Sequence, residues 1–257
     1  MQPNGVSVEI CLDDVGGALV TEQAGADRVE VCSALSEGGL TPSLGFVQVL
    51  LTQVQRLEVQ VLVRPRGGDF VLDRADLDVM AADIAAFSAL ARPSEVVLGF
   101  TFGALTPDGA VDAQALGRLV DAAAGASVTF HKAFDAVTDQ RAALEVLVDH
   151  GVARVLTSGG RPDALAGARR LAELVVAARG RIAVMAGGSV RASNVAEVVR
   201  RTRVRDVHLR APAVVPSASR TGPTAYDAGC RTVTSQQMVA DVVAVLADVQ
   251  VSELGPG

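Results

Sequence analysis

Two arginines, a glycine pair and an aspartate follow directly on a short apolar run: Val59 to Val63 leads into Arg64-Pro65-Arg66-Gly67-Gly68-Asp69-Phe70. Pro65 cannot donate to a sheet ladder, so a strand ending there hands over to Gly67-Gly68, where the backbone can turn sharply or approach a ligand closely. Guanidinium groups at such a junction can grip an anion or stabilise charge that develops in a reaction. The plainer use is an exposed turn with two solvated cations. A second pattern is Glu-x-Cys, present at Glu9-Ile10-Cys11 and again at Glu30-Val31-Cys32. On adjacent strands, about 4.8 Å apart, the two thiols come within reach of each other, and a pair of soft ligands favours Cu(I) over harder ions. Two small buried hydrophobes would use the same positions without a metal. Cys230 has no evident partner.

The elements that must carry these residues alternate. Strand-like runs at 6–11, 28–32, 59–64, 95–102, 127–132, 154–157, 181–186 and 206–211 each precede a segment of helical period. The predicted helices cover 15–24, 42–55, 74–90, 112–124, 139–150, 162–178, 192–202 and 236–249, with Gly25 and Gly151 as C-caps. Eight such units in 257 residues predict a parallel (β/α)8 TIM barrel, with a doubly wound open sheet as the alternative. No linker or composition shift divides the chain, so residues 1–257 read as a single domain with a long connection at about 212–235.

Period-2 alternation then sorts the strand residues. Val8, Ile10, Val29 and Val31 share one parity and suit packing against helices, which turns Glu9, Cys11, Glu30 and Cys32 into the barrel. By the same rule Thr129, His131 and His208 face inward. A barrel filled only for stability carries Val, Ile and Leu there. Burying Glu9, Glu30, Arg64 and His131 without partners is costly. Mutual pairing, for instance Glu30 with Arg64, is one resolution, and a ligand site at the C-terminal rim is the other.

Composition excludes several classes. A net charge of −6 argues against nucleic acid and anionic membrane as partners, since both need clustered Lys and Arg. Aromatic residues make up 3%, with no Trp and Tyr226 alone, so stacking platforms for single strands are missing. The first residues have neither the basic nor the apolar region of a signal peptide, and no apolar run reaches about 18 residues. Three cysteines are too few for a disulfide framework, which suits a reducing compartment. The expectation is a cytoplasmic protein, and a homo-oligomer, since dimers are the commonest assembly.

The segments EICLDD (9–14), GADRVEVCSALSEGGLTPSLG (25–45), RPRGGDF (64–70), TFHKAFD (129–135), RVLTSGG (154–160) and MAGGSV (185–190) together touch most of the predicted barrel. In them the sequence resembles the CutC family of copper homeostasis proteins, EGGLTPS with RPRGGDF being the most specific pair. The resemblance implies a cytoplasmic (β/α)8 barrel associated with copper tolerance and Cu(I) binding. By position it places the copper-binding cysteines at Cys11 and Cys32, and the polar cleft at Glu9, Glu30, Arg64, Arg66, Asp69, His131 and Asp135. Two departures stand out: Lys132 replaces an arginine in TFHRAFD, losing a bidentate fork, and His208 is followed by Leu209-Arg210 where small residues are usual.

Two expectations of different class follow. One is a Cu(I)-binding protein that uses Cys11 and Cys32. The other is a barrel enzyme acting on a small anionic metabolite, phosphorylated ones included. Its candidate catalytic residues are Glu30, His131, Arg64, Arg66, Asp69 and Asp135, with Glu30 or His131 as general acid or base. Its anion site would draw on Arg66, Lys132, Gly159, Gly160, Gly187, Gly188 and His208. No nucleophile–base–orienter triad and no complete dinucleotide fingerprint is present, so no organic cofactor is expected.

Overall fold

The computed structural model describes residues 5–219, 222–225 and 227–249; Tyr226 and both ends of the expected 1–257 domain lie outside the described residues. Eight parallel strands pair in sequence order: β1 (Ser7–Leu12), β2 (Arg28–Val31), β3 (Glu58–Leu62), β4 (Val97–Phe102), β5 (Ser127–Phe130), β6 (Arg154–Thr157), β7 (Ala183–Ala186) and β8 (Asp206–Arg210). They close into a barrel through β1 and β8. Around them run α1 (Val15–Gln23), α2 (Leu44–Gln53), α3 (Arg74–Ser88), α4 (Ala113–Ala122), α5 (Gln140–Asp149), α6 (Ala168–Ala178), α7 (Val195–Thr202) and α8 (Gln236–Ala247). The fold is the expected (β/α)8 barrel.

The outward strand positions explain why these segments become strands under helices. Val8, Ile10, Val29, Val31, Val59, Val61, Phe100 and Phe102 have no exposed surface at all. β-Branched and aromatic side chains suit the pleated surface, and burying each contributes about 1.5–3 kcal/mol. Several helices start where a short polar side chain can accept a free backbone N–H: Ser43, Asp73, Asp112, Asp139 and Ser235 all cap in this way. At α3 the cap is reciprocal, Asp73 and Asp76 each accepting from the other's backbone N–H.

Two elements differ most from the sequence reading, beside smaller shifts such as β5 ending at Phe130 and α7 starting at Val195. Helix α6 begins at Ala168 and not at residue 162. Gly167 lies on the Ser158 carbonyl, where a Cβ would come within 1.8 Å of the oxygen, so the chain between them folds back in turns. Asp163 Oδ1 holds those turns by accepting from the Ala166 N–H at 2.8 Å. The connection after β8 contains an antiparallel pair, β9 (Pro212–Pro216) and β10 (Cys230–Thr234). Pro212 and Pro216 at the ends of β9 lack an N–H, which a two-stranded ribbon tolerates because it has outer edges on which a missing donor is harmless. Asp14 ties the pair to the start of α1, its Oδ2 accepting from Thr234 N–H at 3.1 Å and Thr234 Oγ1 at 2.7 Å.

Gly99 on β4 shows how tightly the interior is filled. A Cβ there would meet Gln60 Nε2 at 2.2 Å and the Ser127 carbonyl at 2.6 Å. Gly99→Ala is therefore expected to lower stability by about 1–3 kcal/mol, as other overpacked cores do, measured by urea denaturation. An unchanged midpoint would mean that the barrel relaxes around the added methyl.

Candidate site in the barrel mouth

The inward positions are polar from bottom to top. At the bottom, Arg28 from β2 donates its Nε to Glu9 at 2.5 Å and its Nη2 to Asp206 at 2.7 Å, with Glu58 at 3.4 Å and Met185 Sδ at 3.4 Å. Glu58 also receives Arg154, which reaches Thr129 Oγ1 at 3.1 Å as well. Burial by itself would raise the pKa of Glu9, but the charge of Arg28 and a hydrogen bond to His208 outweigh it and hold Glu9 at about 2. It is ionised at any physiological pH.

Glu9 passes this order upward. Its Oε1 lies 2.6 Å from His208 Nδ1, which fixes the imidazole and turns Nε2 toward Glu30 Oε2, 3.9 Å away. Burial would lower the pKa of His208, yet the charge of Glu30 and the bond to Glu9 raise it. Glu30 is raised in turn, burial and the Glu9 charge outweighing the nearby His208, Cys11 and Thr101. One donor atom each of Cys11, Glu30 and His208 lies within 4.8 Å of the others. Cys11 Sγ also stands 3.8 Å from Cys32 Sγ, and Cys32 donates to the Leu12 carbonyl at 3.4 Å. The hydrogen bond with Cys32, burial and the nearby Glu30 carboxylate raise the Cys11 thiol well above its ordinary pKa.

The rim residues bond mainly to each other. Arg64 does not pair with Glu30; its Nη1 donates to the carbonyls of Glu37 at 2.9 Å and Gly39 at 3.0 Å, and its Nη2 to Gly68 at 2.9 Å. Its guanidinium also lies 5.2 Å from the Phe70 ring centre, while Nε has no partner among the described residues. Arg66 is held by Asp76 at 3.0 Å, Asp69 at 3.3 Å and the Val71 carbonyl at 2.8 Å. Lys132 donates to Asp135 at 2.7 Å and to Ser158 Oγ at 3.0 Å. Asp135 accepts further from Thr157 Oγ1 at 2.5 Å and Gly160 N–H at 2.9 Å, so that Lys132 and Thr157 overcome the upward push of burial and lower its pKa. The Gly159 N–H goes to Thr157 Oγ1 at 2.8 Å and the Gly187 N–H to the Thr157 carbonyl at 3.0 Å. Three of the four glycine N–H groups of the expected anion cradle thus donate within the protein. At Gly188, φ is +100°, a conformation that few other residues adopt.

His131 sits just past β5, packed against Phe70 with ring centres 4.9 Å apart and against Phe130 at 5.9 Å. Its Nδ1 accepts the Ala133 N–H at 3.2 Å, which places the proton of the neutral ring on Nε2. Burial, then the charge of Arg64, lowers its pKa to about 3.

Sequence reasoning missed Arg28, Glu58, Arg154 and Asp206, the charged floor of the site. The signal was available: Arg28 has the parity of Glu30, Asp206 that of His208, and Glu58 that of Gln60. Charged residues at strand starts resemble solvated ends, and only barrel closure turns them toward a common axis.

These features define a (β/α)8 barrel with a buried thiol pair beside an imidazole and two carboxyl groups. The model of the CutC family matches residues 6–213. A CutC family protein of Caulobacter vibrioides is 43% identical over 251 residues, covering 96% of this chain and 99% of its own. The human copper homeostasis protein cutC homolog is 42% identical over 208 residues, covering 81% of this chain and 74% of its own. The solved structure of CutC from Streptococcus agalactiae superposes with a TM-score of 0.73 at 30% identity, covering 79% of this chain and 97% of its own. Phosphoribosylanthranilate isomerase from Pyrococcus furiosus, at 16% identity and a TM-score of 0.57, shares the fold alone and covers 95% of this chain and 100% of its own. The chain belongs to the CutC family.

The neutral His131 makes the fold acid-sensitive. Below pH 6.5 an unfolded chain protonates this imidazole, whereas the folded one resists until about pH 3. The stability present above pH 6.5 is lost as pH falls through that window, at about 1.4 kcal/mol per pH unit. His131→Gln should flatten this part of the profile in urea titrations at pH 7, 6 and 5. An unchanged slope would show that His131 titrates normally in the folded protein.

Proposed function

We propose that this protein serves copper homeostasis in the cytoplasm by holding Cu(I) between Cys11 and Cys32. The observation that carries this reading is the thiol pair, two buried sulfurs 3.8 Å apart on neighbouring strands. Thiolates are soft ligands and select Cu(I), and the name of the human relative points the same way. All three cysteines are free, as a reducing compartment requires. Among the described residues no helix is long and apolar enough to cross a membrane.

His208, whose protonated form the neighbouring carboxylates favour, suits balancing charge beside the copper, and Glu30, a hard donor, suits receiving a proton. An enzyme acting on an anionic metabolite would need free cations at the mouth. Arg64, the cation nearest His131, is committed to three backbone carbonyls of the rim loops, bonds that an incoming anion could take over only by opening those loops. Copper is therefore the better supported function.

The test is anaerobic competition against a Cu(I) chelator. Cys11→Ser and Cys32→Ser should each weaken the site at least about tenfold, or 1.4 kcal/mol. Binding must displace the Cys11 proton, whose pKa is raised, so affinity should increase from pH 6 to pH 8 and do so less steeply in Cys11→Ser. If both serine variants hold Cu(I) as the wild type does, the cysteines serve packing and the copper reading falls.

A further inference from the structure

We infer that the outer face formed by α5, α6 and α7 is a binding site for a ligand carrying several closely spaced phosphates. Charge is segregated along the chain. From Gln140, where α5 starts, to Arg205, just before β8, lie 12 of the 23 Lys and Arg but only 5 of the 29 Asp and Glu. An overall acidic protein thus carries one strongly basic region.

The structure concentrates this charge in a groove of about 800 Å³ between the helices. Sites for small molecules commonly span about 300–1,000 Å³. Arg141, Arg169, Arg170, Arg179, Arg181 and Arg201 line it, against Glu145 and Glu173. Glu145 pairs with Arg181 through two bonds of 2.7 Å. Glu173 is shared by Arg169 at 3.2 Å and Arg170 at 3.0 Å. Arg201 pairs along its own helix with Glu197 at 3.1 Å. Arg141 and Arg179 form no salt bridge among the described residues, although their charges reach Glu145, so the six guanidinium groups of the groove are paired to three carboxylates, Glu145, Glu173 and Glu197.

That surplus selects the ligand chemistry. Every cation is arginine, whose planar fork matches phosphate oxygens two at a time. Exposed pairs such as those to Glu145 and Glu173 are weak enough to exchange for a stronger anion. No aromatic side chain lines the groove, so bases of a single strand have nothing to stack on. An acidic peptide spreads its charges over several residues, whereas a phosphate chain packs comparable charge into the available volume. Arg179 adds a structural detail: it ends α6 at φ +51°, in the left-handed region where glycine is the usual residue. Arg179→Gly therefore removes a guanidinium while fitting the backbone.

The site is independent of the copper reading, and its test uses inorganic tripolyphosphate as the probe. Metal-free protein should bind it saturably in calorimetry at low salt, with affinity falling steeply as salt rises because several counterions are released. The double variant Arg141→Ala, Arg179→Gly should bind at least about tenfold more weakly while keeping its melting temperature, and Cys11→Ser should bind like the wild type. Absence of saturable binding, equal binding by the double variant, or an equal effect of sulfate at matched ionic strength overturns the proposal. So does tighter binding of a DNA duplex or an oligo-glutamate peptide through the same arginines.

Discussion

The guanidinium of Arg28, buried on the barrel axis and bonded to carboxylates from three other strands, is the constraint on which the interior rests. A lone buried cation is destabilising by several kcal/mol, and so is each lone carboxylate. Together they become tolerable, because Glu9, Glu58 and Asp206 satisfy the donors of one planar group in a fixed geometry. This arrangement also does directional work. Glu9 is held ionised by Arg28, and its remaining oxygen orients His208, which in turn faces Glu30 and Cys11. The geometry of the mouth is thus inherited from the floor.

The network leaves a charge imbalance that protons must settle. Arg28 and Arg154 pair with Glu9, Glu58 and Asp206, three carboxyl groups to two guanidinium groups, and Glu30 above them has no arginine partner. Three groups respond. Burial raises Asp206 and Glu30, and the neighbouring carboxylates raise His208 against burial. Two of the three, Glu30 and His208, stand beside the Cys11 thiol, whereas Asp206 lies on the floor against Arg28. His131, just past the end of β5, behaves oppositely: burial among aromatic rings and then the charge of the Arg64 cation lower its pKa.

How much of this was legible in the sequence depends on the scale of each feature. The barrel was legible because eight β-branched runs alternate with helical segments, and because parity in Val8, Ile10, Val29 and Val31 is unambiguous. The same parity placed Glu9, Cys11, Glu30, Cys32 and His208 inside. The partners of long side chains were not legible. Arg64 was a natural partner for Glu30 by strand adjacency, yet it curls back to the carbonyls of Glu37, Gly39 and Gly68, which loops bring to it. Arg66 finds Asp76 on α3, ten residues on, a contact that depends on the angle at which the helix returns. The late start of α6 was hidden as well, since a helical pattern from Pro162 onward says nothing of the Ser158 carbonyl on which Gly167 packs.

The placement of the thiols next to this proton-rich region bears on how a buried pair can hold a cation without destabilising the protein that lacks it. In the metal-free protein Cys11 keeps its proton, so this thiol adds nothing to the negative charge around Glu30. In the proposed complex two thiolates and Cu(I) sum to one negative charge, next to an imidazole whose protonated form is favoured. A protonated His208 compensates that charge, and a carboxyl with a raised pKa, Glu30, can carry a proton displaced from sulfur. The carboxylate–imidazole pair then acts as a charge buffer: by keeping the local charge nearly constant as protons leave the sulfurs, it lowers the electrostatic cost of forming a thiolate pair in a buried site.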